Sequence, residues 1–167
     1  MSPIAMTRTF RTALAAVALA GAAFVTAAPS PAHAESGMQR IRTYFKAMDG
    51  LTAAVDAWNV DVATVLSAAE TKPEVFCSAD FVDLLHRGHG MVNDLEGTGA
   101  LAPDAVAKNH DGAAQGLRAQ YDGLAAMTLR CQAGGEVPTS AAADFETGKA
   151  AYGQSIRLIR YHAARYR

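Results

Sequence analysis

Apolar residues recur every three or four positions through most of this chain, and four such stripes can be followed in turn. The first runs through Met38, Ile41, Phe45, Met48, Val55, Val62, Leu66 and Ala69. That period belongs to an amphipathic helix with one face in a core, so a helix is predicted over 37–70. Asp49-Gly50 interrupts it, and a mid-helix glycine costs about 1 kcal/mol relative to alanine, which makes Gly50 the expected point of any bend. The second stripe is Phe81, Leu84, Leu85, Gly88, Met91, Val92 and Leu95. The third is Val106, His110, Ala113, Leu117, Leu124 and Met127, and the fourth is Phe145, Tyr152, Ile156, Ile159, Ala163 and Tyr166.

Turn chemistry separates the stripes. Thr71-Lys72-Pro73-Glu74 has the form of a capping box with an early proline, while Ser78 with Asp80 offers a competing cap. Helix two is therefore expected to begin within 73–79. Gly97-Thr98-Gly99 closes it, and Pro103-Asp104 opens helix three, which runs to about residue 133. Gly134-Gly135 and Pro138 form the next turn, and Thr139 or Ser140 caps helix four. Four helices with short connections predict an all-α, up-down-up-down four-helix bundle.

Residues 1–34 fall outside this pattern. Arg8 and Arg11 precede an uncharged apolar run, 13–28, which Pro29 and Pro31 break before the small-x-small site Ala32-His33-Ala34. This is the form of a secretory signal peptide cleaved after Ala34. The expected product is a secreted or cell-envelope protein with a single helical domain over 35–167. Removing Arg8 and Arg11 from 15 basic residues leaves 13 against 16 acidic ones, a charge of −3. That balance is too mild to imply a nucleic-acid partner.

Export changes how the two cysteines read. Cys77 precedes the second stripe and Cys131 follows the third, so antiparallel helices bring them together. One disulfide is the simplest pairing in an oxidising compartment.

Candidate chemistry is sparse. His86-x-x-His89 follows Asp83, but both histidines point away from the apolar stripe, and a solvated face with an Asp83–Arg87 pair is the expected reading. Lys149, Arg157, Arg160, Arg165 and Arg167 lie in a segment, 147–167, without an acidic residue. Such a cluster suits an anionic partner at the cell envelope, or simply complements a helix C-terminus. Gly112, Gly116 and Gly123 thin one side of helix three, leaving room for a close helix contact or for a flat ligand. Measured from the cysteine end at 1.5 Å per residue, His110, His162 and Met48 all stand about 32–34 Å up. Two imidazoles and a thioether in one layer are a set that can hold haem iron or a metal, although a core methionine with two histidines satisfied by neighbours is the expected reading.

The ends of the expected mature chain carry a resemblance. Met38-Gln39-Arg40-Ile41-Arg42-Thr43-Tyr44-Phe45-Lys46 and Arg160-Tyr161-His162-Ala163-Ala164-Arg165-Tyr166-Arg167 look like the first helix and the tail of the soluble periplasmic b-type cytochromes. Those four-helix bundles hold haem b non-covalently between a methionine and a histidine. The resemblance implies Met38 and His162 as axial ligands, whereas the residue count favours Met48 opposite His162. No hydrolase, phosphate-loop or zinc-protease motif is present. Two classes follow: a secreted non-catalytic binding or structural module without a cofactor, or a haem or metal carrier.

Overall fold

A computed structural model describes residues 31–135 and 139–166, so the expected leader lies almost wholly outside the described residues. The described chain is all-α. Four helices, α1 (Pro31–Ala69), α2 (Ala79–Thr98), α3 (Asp104–Gln132) and α4 (Thr139–Ala163), form the bundle. Two short 3₁₀ turns, Pro73–Cys77 and Gly99–Leu101, make the first two connections.

The competition at the start of helix two is decided in favour of the later cap. Ser78 takes an extended conformation and its side chain accepts from the Phe81 N–H, the bond an N-cap supplies. The expected capping box at 71–74 does not form. Lys72 precedes the 3₁₀ turn with no side-chain cap, and the Thr71 hydroxyl donates back to the Ala68 carbonyl of α1. Proline at the first turn favours that turn without extending it into α2, because the Ser78 backbone is already extended. Helix α1 passes unbroken through Gly50, whose position is exposed and makes no demand on packing.

Polar links show how the helices are arranged. Arg87 of α2 pairs with Asp61 of α1 at 2.8 Å, not with Asp83 on its own helix as expected. Eight residues separate each of these from the α1–α2 connection, so the two helices run antiparallel. Arg118 of α3 pairs with Glu96 of α2, and Arg160 of α4 approaches Asp56 of α1 at 3.9 Å. All three pairs are exposed, which makes each worth at most about 1 kcal/mol. They mark neighbours more than they stabilise them.

The α3–α4 contact is built differently. The Gly116 backbone meets that of Gly148 and Tyr152, and Gly123 meets Ala141 and Phe145. A β-carbon added at Gly116 would stand 2.5 Å from the Tyr152 nitrogen and 2.9 Å from the Gly148 oxygen. Gly116 and Gly123 thus serve close helix contact, while Gly112 opens onto a shallow groove between α3 and α4. On the α1 side of α4 the spacing is set by rings instead. Trp58 meets Phe145 with centroids 6.4 Å apart, and Phe45 stacks on Tyr166 at 5.6 Å. Side-chain size at the contact sets interhelical distance, so this bundle is tight along one seam and wide along another.

The core is the four stripes, with additions. Trp58, almost wholly buried, donates its indole N–H to the Leu84 carbonyl at 2.9 Å and lies against Gly88. Tyr44, Thr52 and Gln120 are buried as well, while Met38 is 40% exposed and lies off the core. Cys77 and Cys131 are bonded, with Cα atoms 5.6 Å apart, and they tie the α1–α2 connection to the end of α3. No other cysteine exists.

Candidate functional site

The layer expected to hold His110, His162 and Met48 divides into two unlike environments. His110 is 2% exposed. Its Nδ1 lies 3.2 Å from the Tyr44 hydroxyl, and the two rings are tilted with centroids 5.7 Å apart. Nε2 faces the start of the α2–α3 connection, where a β-carbon on Gly99 would be 2.9 Å away. It has no hydrogen-bond partner of good geometry, although the Leu95 carbonyl and Asp111 favour its protonated form. Burial outweighs both and lowers the His110 pKa below its ordinary value. Burial also pushes the Tyr44 phenol well above its ordinary value, so the hydroxyl keeps its proton. Both ring nitrogens therefore face protein, leaving no side open to a haem iron.

His162 is half-buried and meets the edge of Tyr161, centroids 5.8 Å apart. Phe45 stacks on Tyr166, and Asp49 shares a small hollow with Ala163. His162 is thus level with residue 49 or so, close to Met48 in height as the residue count predicts. Direction is another matter. At 100° per residue, His162 lies about 160° round α4 from Arg160, the residue that approaches α1. It falls on the α3 flank, away from the helix that carries both methionines. Met38 is eleven residues from Asp49, hence about 16 Å further along the bundle. The Met38–His162 axial pair implied by the resemblance is not brought together, and Met48 is core packing. These residues do not fit haem as an opposed axial pair. Among the described residues, no cluster of three or more His, Cys, Asp or Glu is placed to hold a metal.

His86 and His89 are exposed, and His89 lies against Tyr121 and Asn93. The basic cluster of α4 divides. Lys149 stands over the Phe145 ring at 5.9 Å and borders a hollow with Asn59 and Val60, so it faces α1 with Arg160. Arg157 and Arg165 are exposed on the outward face. Arg165 donates to the Tyr161 hydroxyl at 2.9 Å, its guanidinium carbon 4.9 Å from the ring centroid. Arg167 lies outside the described residues.

Tyr44, Trp58 and Gly148 do not stand out in the sequence. Tyr44 is the neighbour of a stripe residue. Trp58 continues the helical spacing between Val55 and Val62, and Gly148 precedes Tyr152 by one turn, as Gly112 precedes Gly116.

No family model, curated protein or solved structure matches this chain.

The buried imidazole makes one prediction independent of function. An unfolded His110 takes a proton near its ordinary pKa of about 6.5, whereas the folded one resists it. The unfolded state then binds more protons, so stability should fall as pH drops through about 6.5 and below. Urea midpoints measured from pH 7.5 to 5 should decline more steeply in the parent than in His110→Gln. Parallel declines would assign the acid sensitivity to other groups.

Proposed function

We propose that this chain is an exported, non-catalytic helical module that holds to an anionic partner at the cell envelope through the outward face of α4. One observation carries this reading. The chain as a whole has more acidic than basic residues, 16 against 15, yet the second half of α4 and the turn that follows it present Arg157 and Arg165 to solvent, with no carboxylate in the sequence from residue 147 onward. Charge is segregated within the fold, and a one-sign face draws counter-charged partners. The cations that helix packing uses, Lys149 and Arg160, are turned towards α1. Among the described residues, Arg157 and Arg165 form no hydrogen bond or ion pair with another helix. Arg165 does ride on Tyr161, which holds its charge on the outer surface.

The test is retention on an immobilised phosphate polymer. The oxidised protein should bind at low ionic strength and elute as salt approaches 1 M, where the screening length falls to about 3 Å. Arg157→Glu/Arg165→Glu should pass through at low salt with its helical circular dichroism unchanged. Retention of that double variant equal to the parent would overturn the assignment of this face.

A further inference from the structure

Charge alone leaves part of this face unexplained. Leu158 and Tyr161 are 44% and 61% exposed, and they stand between Arg157 and Arg165. Helical geometry puts Arg157, Leu158 and Tyr161 within about 100° of arc, and Arg165, in the turn after α4, folds back onto the Tyr161 ring. The opposite side of the helix carries Tyr152, Ile156, Ile159 and Ala163 into the core. Across a shallow groove, Lys108 of α3 borders Leu158 and adds a further exposed cation. Asp111 follows Lys108 by three residues on α3, and Asp56 of α1 is engaged with Arg160.

A soluble polyanion has use for the cations but none for the leucine and the tyrosine. A laterally continuous partner with an anionic surface and an apolar depth uses every feature. At a bilayer interface the arginine stems lie along apolar surface with their heads at phosphate level. Leucine and tyrosine enter the headgroup boundary, and the anionic headgroups attract each nearby cation. No helix among the described residues is long and apolar enough to cross a membrane, which makes adsorption the mode of contact.

We propose that the outward face of α4 docks on bilayers containing anionic phospholipid, with Arg157, Arg165 and Lys108 at the phosphates and Leu158 and Tyr161 in the headgroup–acyl boundary. The proposal rests on the anionic-partner reading above and specifies that partner.

Sedimentation with vesicles tests it, using phosphatidylcholine alone and phosphatidylcholine mixed with phosphatidylglycerol. The parent should partition to the mixed vesicles and not to phosphatidylcholine. Leu158→Ser/Tyr161→Ser should weaken that partition about tenfold, the loss of two partly buried apolar groups. Its retention on the phosphate polymer should stay at the parent level. Arg157→Glu/Arg165→Glu should weaken both by about tenfold or more. All four positions are exposed, and unchanged thermal unfolding of each variant confirms that the fold is intact. If the serine pair binds mixed vesicles as the parent does, the lipid assignment falls while the anionic-partner reading stands. A parent that binds the polymer but not the mixed vesicles has the same consequence. A parent that binds neither overturns both. If a concentration-dependent dimer is abolished by the serine pair and vesicle binding is absent, the face belongs to a second copy of the chain.

Discussion

Reduction of the Cys77–Cys131 bond should lower the unfolding free energy by about 4 kcal/mol. The bond closes a separation of 54 residues, and the loop-entropy relation gives about that figure for a loop of this size. The effect lies mostly in the unfolded chain, where the cross-link forbids extended arrangements, and only slightly in native contacts. Cys77 is exposed at the end of a 3₁₀ turn, so reductant reaches the bond without prior unfolding. The neighbouring core supports the native geometry without it: Phe76 is buried and meets Phe81 at 5.2 Å. The reduced protein should therefore remain helical at neutral pH and unfold at a urea midpoint lower by about 2 M, taking a slope of about 2 kcal/mol per molar. Cys77→Ala/Cys131→Ala should reproduce the shift and become insensitive to reductant. A midpoint that moves by less than about 0.5 M would show that the unfolded ensemble is already confined to hairpin-like states. Thiol titration of the oxidised, denatured protein should find no free sulfhydryl.

Much of this architecture was legible because its signals are local and agree with one another. Every residue of the third stripe from Val106 to Met127 and of the fourth from Phe145 to Ala163 is buried, although Gly116, Gln120, Gly123 and Thr128 of α3 and Ala141 and Gly148 of α4 are buried beside them. The cysteine pairing followed from topology, since two antiparallel helices place those ends together. What escaped depends on distances between helices, which periodicity does not encode. Arg87 had an eligible partner at i−4 and took one across the groove, because Asp61 is level with it on the antiparallel neighbour. The levels of Met48 and His162 were also legible from residue counts. Their directions were not, because spacing fixes His162 relative to Arg160 on α4 but does not say which of the two faces α1. Met38 shows the reverse case, a residue with the right spacing at a height where no neighbour covers it. The division of the basic cluster into cations facing α1 and an outward pair had the same origin, since composition counts charges without aiming them.

The α3–α4 seam gives the sharpest test of the packing. Gly116→Ala should destabilise the protein by about 2 kcal/mol, even though alanine is the better helix former. The new β-carbon would stand 2.5 Å from the Tyr152 nitrogen and 3.0 Å from its Cα, so the obstruction is backbone and no rotamer change relieves it. The helices must separate locally, and such overpacking costs about 1–3 kcal/mol, sometimes more. Alanine returns about 1 kcal/mol of helix propensity, so an overpacking cost of about 3 kcal/mol against backbone atoms leaves a net loss of about 2 kcal/mol. Gly148→Ala meets the Gly116 oxygen at 2.6 Å and the Gln120 nitrogen at 2.7 Å, and should behave alike. Two other glycines calibrate the result. Gly112→Ala meets only the Ser155 hydroxyl within 3 Å, a side chain that can rotate away, so it should be nearly neutral. Gly90→Ala meets nothing within 4 Å in mid-helix and should stabilise by up to about 1 kcal/mol. The order Gly90, Gly112, then Gly116 and Gly148, read from urea midpoints, is the prediction. Because Gly116 and Gly148 face one another, the double alanine variant should cost less than the sum of the two, one separation of the helices serving both. If Gly116→Ala proves as stable as Gly90→Ala, α3 and α4 are further apart than their glycines place them.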